Sequence, residues 1–312
     1  FAVAQSNPFN MSYVNFYTTA AFIDLDGDND LDVMAGCYDG SFFYIENIGS
    51  ASVPNYGSPV VNPFGLSNLS ANTTLEFVDI DNDNDMDMFA SDYGGYPHGI
   101  WYMIENTGTS SSPTFAAPTT NPFNLTTITG YFAYPLFGDL DADGDMDLLG
   151  SEYGTGSPTG AFYYFENLAI NCIPNTYFDA VQVNPFGLVG FSDKSNSGLG
   201  DLDNDGDLDI ISAQLGVGGM GPADGLYFYE NTGTSTAPSF GASQLNPFSL
   251  SGTDPKCSAS LGDLDNDGDL DLLCGLESGG FLYYENTGTA ASPSFAVAQS
   301  NPFNMSYVNF YT

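Results

Sequence analysis

The chain of 312 residues carries 39 acidic side chains against two basic ones, Lys194 and Lys256, and no arginine, for a formal net charge of −37. Phosphate contacts are built from Lys and Arg, so nucleic acid and anionic membrane surfaces are excluded as partners. Hydrophobic residues at 42% and aromatic residues at 15% separate the chain from acidic disordered sequences and supply a core. No apolar run of about 20 residues predicts membrane insertion, no signal-peptide pattern is present, and the opening at Phe1 is that expected of a processed or excised segment.

In chain order, one acidic loop of the form D-x-D-x-D-[GN]-D-x-D recurs five times at spacings of 55 to 62 residues. The first holds Asp24, Asp26, Asp28, Asp30 and Asp32, and the second Asp79, Asp81, Asp83, Asp85 and Asp87. The third holds Asp139, Asp141, Asp143, Asp145 and Asp147. The fourth holds Asp201, Asp203, Asp205, Asp207 and Asp209, and the fifth Asp263, Asp265, Asp267, Asp269 and Asp271. Two carboxylates about 4 Å apart repel by roughly 4 kcal/mol at an effective dielectric near 20. With almost no basic side chains to neutralise them, the loops call for cations from solution. All-oxygen, carboxylate-rich and flexible ligand sets suit Ca2+ better than Mg2+, which wants strict octahedral geometry, or zinc, which prefers nitrogen and sulfur. Five such ions reduce the net charge only to about −27, which keeps the surface soluble and self-repelling.

The whole unit around each loop recurs with a period of about 59 residues. Five units are expected, approximately 1–55, 56–114, 115–175, 176–239 and 240–294. In the last, Phe240 opens a short strand leading to Asn246-Pro247-Phe248, Ser258 to Gly262 runs into the Asp loop, Leu270 to Gly275 leaves it, and Phe281 to Glu285 ends in Asn286-Thr287-Gly288. Short segments rich in Val, Ile, Leu, Phe and Tyr between Gly, Asn, Asp and Pro predict strands and turns. The expected class is all-β: a five-bladed β-propeller of four-stranded antiparallel blades, or an open superhelical stack of the same blades.

The runs Phe-Gly-Asp-Leu-Asp-Ala-Asp-Gly-Asp-Met-Asp-Leu-Leu-Gly (137 to 150) and Leu-Tyr-Tyr-Glu-Asn-Thr-Gly-Thr (282 to 289) resemble FG-GAP/VCBS repeats, the calcium-binding blades also seen in integrin α-subunit propellers. The resemblance covers essentially the whole chain. It implies a propeller with about one Ca2+ per blade, five in total, and an extracellular or cell-surface place, in adhesion or matrix building, in lectins, or beside enzymes. It also implies a ligand set at loop positions 1, 3, 5 and 9, with the backbone carbonyl of position 7. In the first loop these are Asp24, Asp26, Asp28 and Asp32, with Asp30 giving its carbonyl. Position 6 is expected to be a left-handed turn, which suits Gly144, Gly206 and Gly268 and is tolerated by Asn29 and Asn84. The ions are expected to be structural.

Residues 295–312 repeat residues 1–18 letter for letter, a true period of 294 residues or five units. In a closed five-unit ring both copies claim one strand position. The favoured expectation is a window on a tandem array or surface filament, with self-association or tandem neighbours as partners; an incidental overlap and exchange of a terminal strand between subunits are the alternatives.

Asn-Pro-Phe occurs six times, at Asn7, Asn62, Asn121, Asn184, Asn246 and Asn301, always at the same place in the unit, which predicts a turn and a Phe plug between neighbouring blades. Glu46, Glu105, Glu166, Glu230 and Glu285 close the Y-x-E-N-like ends and read as turn residues rather than accessory metal contacts. The loops after the second strand vary, and Asp92, Tyr93, Tyr96, Trp101, Glu152 and Tyr153 are candidate contacts for a glycan, against blade core as the alternative. A carboxylate pair such as Asp92 and Glu152 is all that a glycosidase could use here; with one histidine and no nucleophile motif the chain is not expected to be an enzyme. Asn10, Asn68, Asn72, Asn124 and Asn304 stand in N-x-[ST] sequons and are candidate glycosylation sites. Cys37, Cys172, Cys257 and Cys274 make no metal pattern, and both disulfides and buried thiols fit them.

Overall fold

A computed structural model describes residues 19–92, 100–126, 133–152, 161–168, 178–190, 195–214, 225–250, 257–276 and 281–300. Five four-stranded sheets follow one another along the chain, every pair of neighbouring strands antiparallel. Blade 1 is β1 (Thr19–Ile23), β2 (Asp32–Gly36), β3 (Phe42–Ile45) and β4 (Val60–Val61). Blade 2 is β5 (Thr74–Val78), β6 (Asp87–Asp92), β7 (Ile100–Ile104) and β8 (Thr119–Thr120). Blade 3 is β9 (Ala133–Gly138), β10 (Asp147–Glu152), β11 (Phe162–Phe165) and β12 (Gln182–Val183). Blade 4 is β13 (Ser195–Gly200), β14 (Asp209–Gln214), β15 (Gly225–Tyr229) and β16 (Gln244–Leu245), and blade 5 is β17 (Ser258–Gly262), β18 (Asp271–Gly275), β19 (Phe281–Tyr284) and β20 (Gln299–Ser300).

The blades form a closed β-propeller, not an open stack. First strands of successive blades lie side by side, β1 on β5, β5 on β9, β9 on β13 and β13 on β17, and the ring shuts where β17 meets β1. At that seam the Ser260 hydroxyl donates to the Ala20 carbonyl at 3.0 Å, and a side chain at Gly262 would strike Phe22 at 3.0 Å.

The core lies between blades. Five buried clusters fill the five interfaces, and the one joining blades 5 and 1 packs Val33, Ala35, Ile45 and Tyr56 against Leu264, Leu273, Phe281 and Tyr283. Alternation explains the arrangement: within a strand buried on both faces, odd and even side chains enter different interfaces. Val33 and Ala35 go to one neighbour, while Met34 goes to the other.

The short strands before Asn62, Asn121, Asn184, Asn246 and Asn301 pair with the hairpins preceding them, as Val61 does with Phe43, so the blade is offset from the sequence unit that opens on that strand. The four described Asn-Pro-Phe turns, at Asn62, Asn121, Asn184 and Asn246, place Asn and Phe in left-handed backbone, Asn62 at φ 46° and Phe64 at 57°, while those at Asn7 and Asn301 lie outside the described residues. The Asn carboxamide takes the place of a strand partner, accepting from the Phe42 amide at 2.9 Å. The Phe plugs the interface as expected: Phe64 lies edge-on to Tyr44 at 5.1 Å and Phe115 at 6.5 Å, and Phe248 to Phe228 at 4.8 Å and Phe295 at 6.3 Å.

The duplicated segment is used once by this ring. In the carboxy-terminal copy, Gln299 and Ser300 pair with Tyr283 and Leu282 as the outer strand of blade 5, and Phe295 is buried with its amide donating to the Phe248 carbonyl at 2.9 Å. The amino-terminal copy, 1–18, lies outside the described residues.

Candidate metal centres

Each acidic loop links the first two strands of its blade. In the first, Asp24 accepts from the Gly27 amide at 2.7 Å and the Asn29 amide at 3.0 Å, so position 1 curls the loop around its own carboxylate. The other four loops repeat this curl from positions 5 and 6: Asp79 accepts from Asp83 and Asn84, Asp139 from Asp143 and Gly144, Asp201 from Asp205 and Gly206, and Asp263 from Asp267 and Gly268. Position 6 is left-handed in all five, from φ 69° at Asn29 to 100° at Gly144, as expected. Position 4 is left-handed as well, a feature that the motif did not announce: Gly27, Asn82, Ala142, Asn204 and Asn266 all have positive φ. Ala142, at φ 55°, has neither the freedom of glycine nor the local hydrogen bonding of asparagine.

Position 9 is a buried anchor. Asp32 accepts from the Leu25 amide at 3.2 Å, the Tyr44 hydroxyl at 2.7 Å and the Asn47 amide at 2.8 Å. Asp271 repeats this with Leu264, Tyr283 and Asn286, while Asp87, Asp147 and Asp209 accept from the amides of Asn106, Asn167 and Asn231. That Asn then folds the next turn: Asn47 Oδ1 accepts from the Gly49 and Asn55 amides at 3.1 and 2.8 Å. The Glu before it offers its carbonyl to the turn, as Glu46 does to Gly57 at 2.8 Å. The glutamates also face the loops: Asp141 helps to raise Glu166, and Glu105 and Glu230 act the same way on Asp81 and Asp203, in each case after burial.

Carboxylate oxygens converge to within 4.8 Å of one another in every loop: Asp24, Asp26 and Asp32; Asp79, Asp81 and Asp83; Asp139, Asp141 and Asp147; Asp201, Asp203 and Asp209; and Asp263, Asp265 and Asp267. These are positions 1, 3 and 9 in three loops and 1, 3 and 5 in two. In all five, the position 7 carboxylate leaves one oxygen buried without a partner, at Asp30, Asp85, Asp145, Asp207 and Asp269. Without a cation, burial first and the neighbouring carboxylates second push Asp30, Asp207 and Asp269 up to about 6. At position 9 burial first, with a smaller push from neighbouring carboxylates, outweighs the donors and raises Asp32, Asp209 and Asp271 to about 7. Orphaned buried oxygens and mutually repelling carboxylates are what a hard divalent cation would satisfy, and the donor set is compatible with calcium.

The structure redirects the candidate glycan contacts. Trp101 is fully buried, 5.8 Å from Phe89 and 6.4 Å from Phe165, so it is blade core rather than a platform for sugar. Asp92 is equally buried, and its Oδ2 accepts from the Ser70 amide and hydroxyl at 2.9 and 2.5 Å and from the Tyr102 hydroxyl at 2.9 Å, which ties down the crossing between blades 1 and 2. Glu152 ends β10, whereas Tyr93, Tyr96 and Tyr153 fall outside the described residues. Of the sequons, Asn68 and Asn124 are exposed and Asn72 is half-buried, while Asn10 and Asn304 lie outside the described residues.

Sequence reasoning missed the axis of the ring. A cavity of about 60 Å³ there is lined by Glu76, Leu136, Phe137, Gly198, Leu199, Ala259, Ser260 and Leu261. Glu76 is the one ionisable side chain in that lining, and burial pushes its carboxyl up to about 7 despite a hydrogen bond from the Phe77 amide. Among the described residues, no helix is long and apolar enough to cross a membrane.

A family of FG-GAP-like repeats matches residues 79–150 and 201–274, each span holding two consecutive acidic loops. No curated protein matches the chain. Among solved structures, a chain of the Photorhabdus luminescens Tc holotoxin pore is similar at a TM-score of 0.39 and 13% identity, over 94% of this chain and 13% of that one. The two matched spans and the five blades closed into a ring together support an FG-GAP-type β-propeller.

Proposed function

We propose that this chain is an extracellular structural or adhesive module, stapled by about one calcium ion per blade and serving as one unit of a tandem array or surface filament. The observation that carries the reading is a cluster of three carboxylates in the acidic loop of each of the five blades, each loop with a buried position 7 oxygen that no protein group satisfies. Both lysines lie outside the described residues, and two cations could not neutralise five such loops. Millimolar calcium outside cells fills sites with dissociation constants of order 10⁻⁴ to 10⁻³ M, whereas resting intracellular calcium does not. Repeats of this family are typical of extracellular proteins, and sequons at exposed Asn68 and Asn124 fit a glycosylated surface.

The identical eighteen-residue ends support the array. Since residues 299–300 complete blade 5 of their own ring, an array of such units is a string of closed rings rather than a continuous superhelix. The role proposed is mechanical and adhesive, without catalysis, and the rival reading as a glycan-binding propeller loses two of its contacts to the core at Trp101 and Asp92. Electron microscopy in millimolar calcium, repeated after chelation, tests the reading. Strings or filaments that dissolve in EDTA support it. Isolated rings that chelation leaves intact refute both the polymer and the staple.

A further inference from the structure

We propose that Cys257 and Cys274 form a disulfide that closes blade 5 around its acidic loop. Cys257 immediately precedes β17, and Cys274 is the penultimate residue of β18, where it stands opposite Ala259. Residues 257 and 259 share a face of the strand, which brings Cys257 diagonally across from Cys274. Both side chains enter the same apolar core between blades 4 and 5, at 1% and 0% exposure, with their sulfurs 2.8 Å apart. That is inside the separation of roughly 3.5–4.0 Å at which unbonded heavy atoms rest. Cys37 packs in a different core, between blades 5 and 1. The place of Cys274 is taken by Ala35, Ala90, Gly150 and Ser212 in the other blades, so the pair belongs to blade 5 alone.

The bond would enclose residues 258–273, the whole of the fifth acidic loop, in a covalent ring. β17 is also the strand that meets β1 at the seam of the propeller. The lock would therefore hold together the hairpin on which both ring closure and the fifth metal cluster depend, with or without a cation.

The chemistry is thiol–disulfide exchange. The thiolate of one cysteine attacks a small-molecule or protein disulfide, forming a mixed disulfide and releasing one thiol. The thiolate of the second attacks the protein sulfur of that mixed disulfide and releases the other. Two protein thiols are oxidised, one external disulfide is reduced to two thiols, and the two protons pass to those thiols. Because both sulfurs are buried in the folded ring, the exchange belongs to folding, before the interface with blade 4 forms.

The test refolds the reduced, denatured chain in calcium with a buffer of oxidised and reduced glutathione. Exposed thiols are then alkylated in denaturant, and the chain is cut after lysine and before aspartate. The expected product is a peptide starting at Cys257 joined to one starting at Asp271, separated by reduction with a gain of about 2 Da. Separate alkylation of both cysteines, or linkage of either to Cys37 or Cys172, overturns the proposal. Melting in EDTA before and after reduction gives a second readout on the unmutated chain: a loss of several degrees is expected on reduction, and coincident transitions overturn the locking role. The pairing rests on strand geometry, so its outcome in a glutathione buffer is independent of the extracellular reading.

Discussion

Replacing Glu76 by glutamine should stabilise the propeller at alkaline pH and change nothing at acid pH. Glu76 is the lone carboxyl in the lining of the axial cavity, its ordinary value of 4.5 raised to about 7 by burial, with no basic group among the causes. Because the folded-state value lies above the unfolded one, neutral Glu76 imposes no penalty below about 4.5, and stability is lost as pH rises through about 7. The gap corresponds to about 3 kcal/mol at 1.36 kcal/mol per pH unit, and because Glu76 is only half-buried, screening by solvent trims it to about 2 kcal/mol. The carboxamide of Glu76→Gln would keep the shape and remove the charge. Calorimetry of both chains in millimolar calcium should show the variant melting about 3 °C higher at pH 8.5, with the two converging near pH 4.5. Weakening of the loops by acid affects both chains and cancels in the difference. A variant less stable than the parent at pH 8.5 would refute the argument, since it would mean that the carboxylate is held by a cation or donor on the axis.

Calcium at 2 mM, acting on five equal sites with dissociation constants near 10⁻⁴ M, should add about 9 kcal/mol, so coincident melting curves in calcium and EDTA would rule out stapling. Adding calcium to the metal-free chain at pH 6.5 should release protons, because Asp32, Asp209 and Asp271 stand near 7 without a cation; a pH-stat titration measures the release, and its absence would contradict the inner place of position 9. Ala142→Asn should raise stability by about 1 kcal/mol in denaturant titration by relieving an alanine at φ 55°, and a loss would show that the strain is imaginary. Trp101→Ala should cost about 3–5 kcal/mol of stability; a stable variant that has lost binding to a glycan array would restore the sugar site.

Much of this was legible in the sequence because the repeats carry chemistry with one structural solution. Five carboxylates at alternating positions with Gly or Asn sixth leave little choice but a curled loop, and Asn-Pro-Phe at one place per unit fixes a turn and a plug. The offset between sequence unit and blade was not legible. A fourth strand of two exposed residues, such as Val60–Val61, has no periodicity to read, and its partner is set by a hydrogen bond from the Asn62 amide to the Phe42 carbonyl. For Trp101 and Asp92 the sequence left glycan contact and blade core both open, because a variable loop flanks them while their own strands point inward. Glu76 gave no signal because the axis exists only once five blades have assembled.

The segments between blades are nearly uniform: twelve residues separate β4 from β5, β8 from β9 and β16 from β17, and eleven separate β12 from β13. After β20 come residues 301–312, again twelve, ending on the sequence that precedes Thr19 at the other end. In a tandem array the step from one ring to the next would thus have the same length as the step from blade to blade. A nascent array would have no spacer telling it where a ring begins, and any five consecutive blades could close. Correct phasing would then be a matter of kinetics, with the first five blades to leave the ribosome shutting before a sixth competes for the seam. An array denatured and refolded all at once should yield rings out of phase, with stranded blades at its ends.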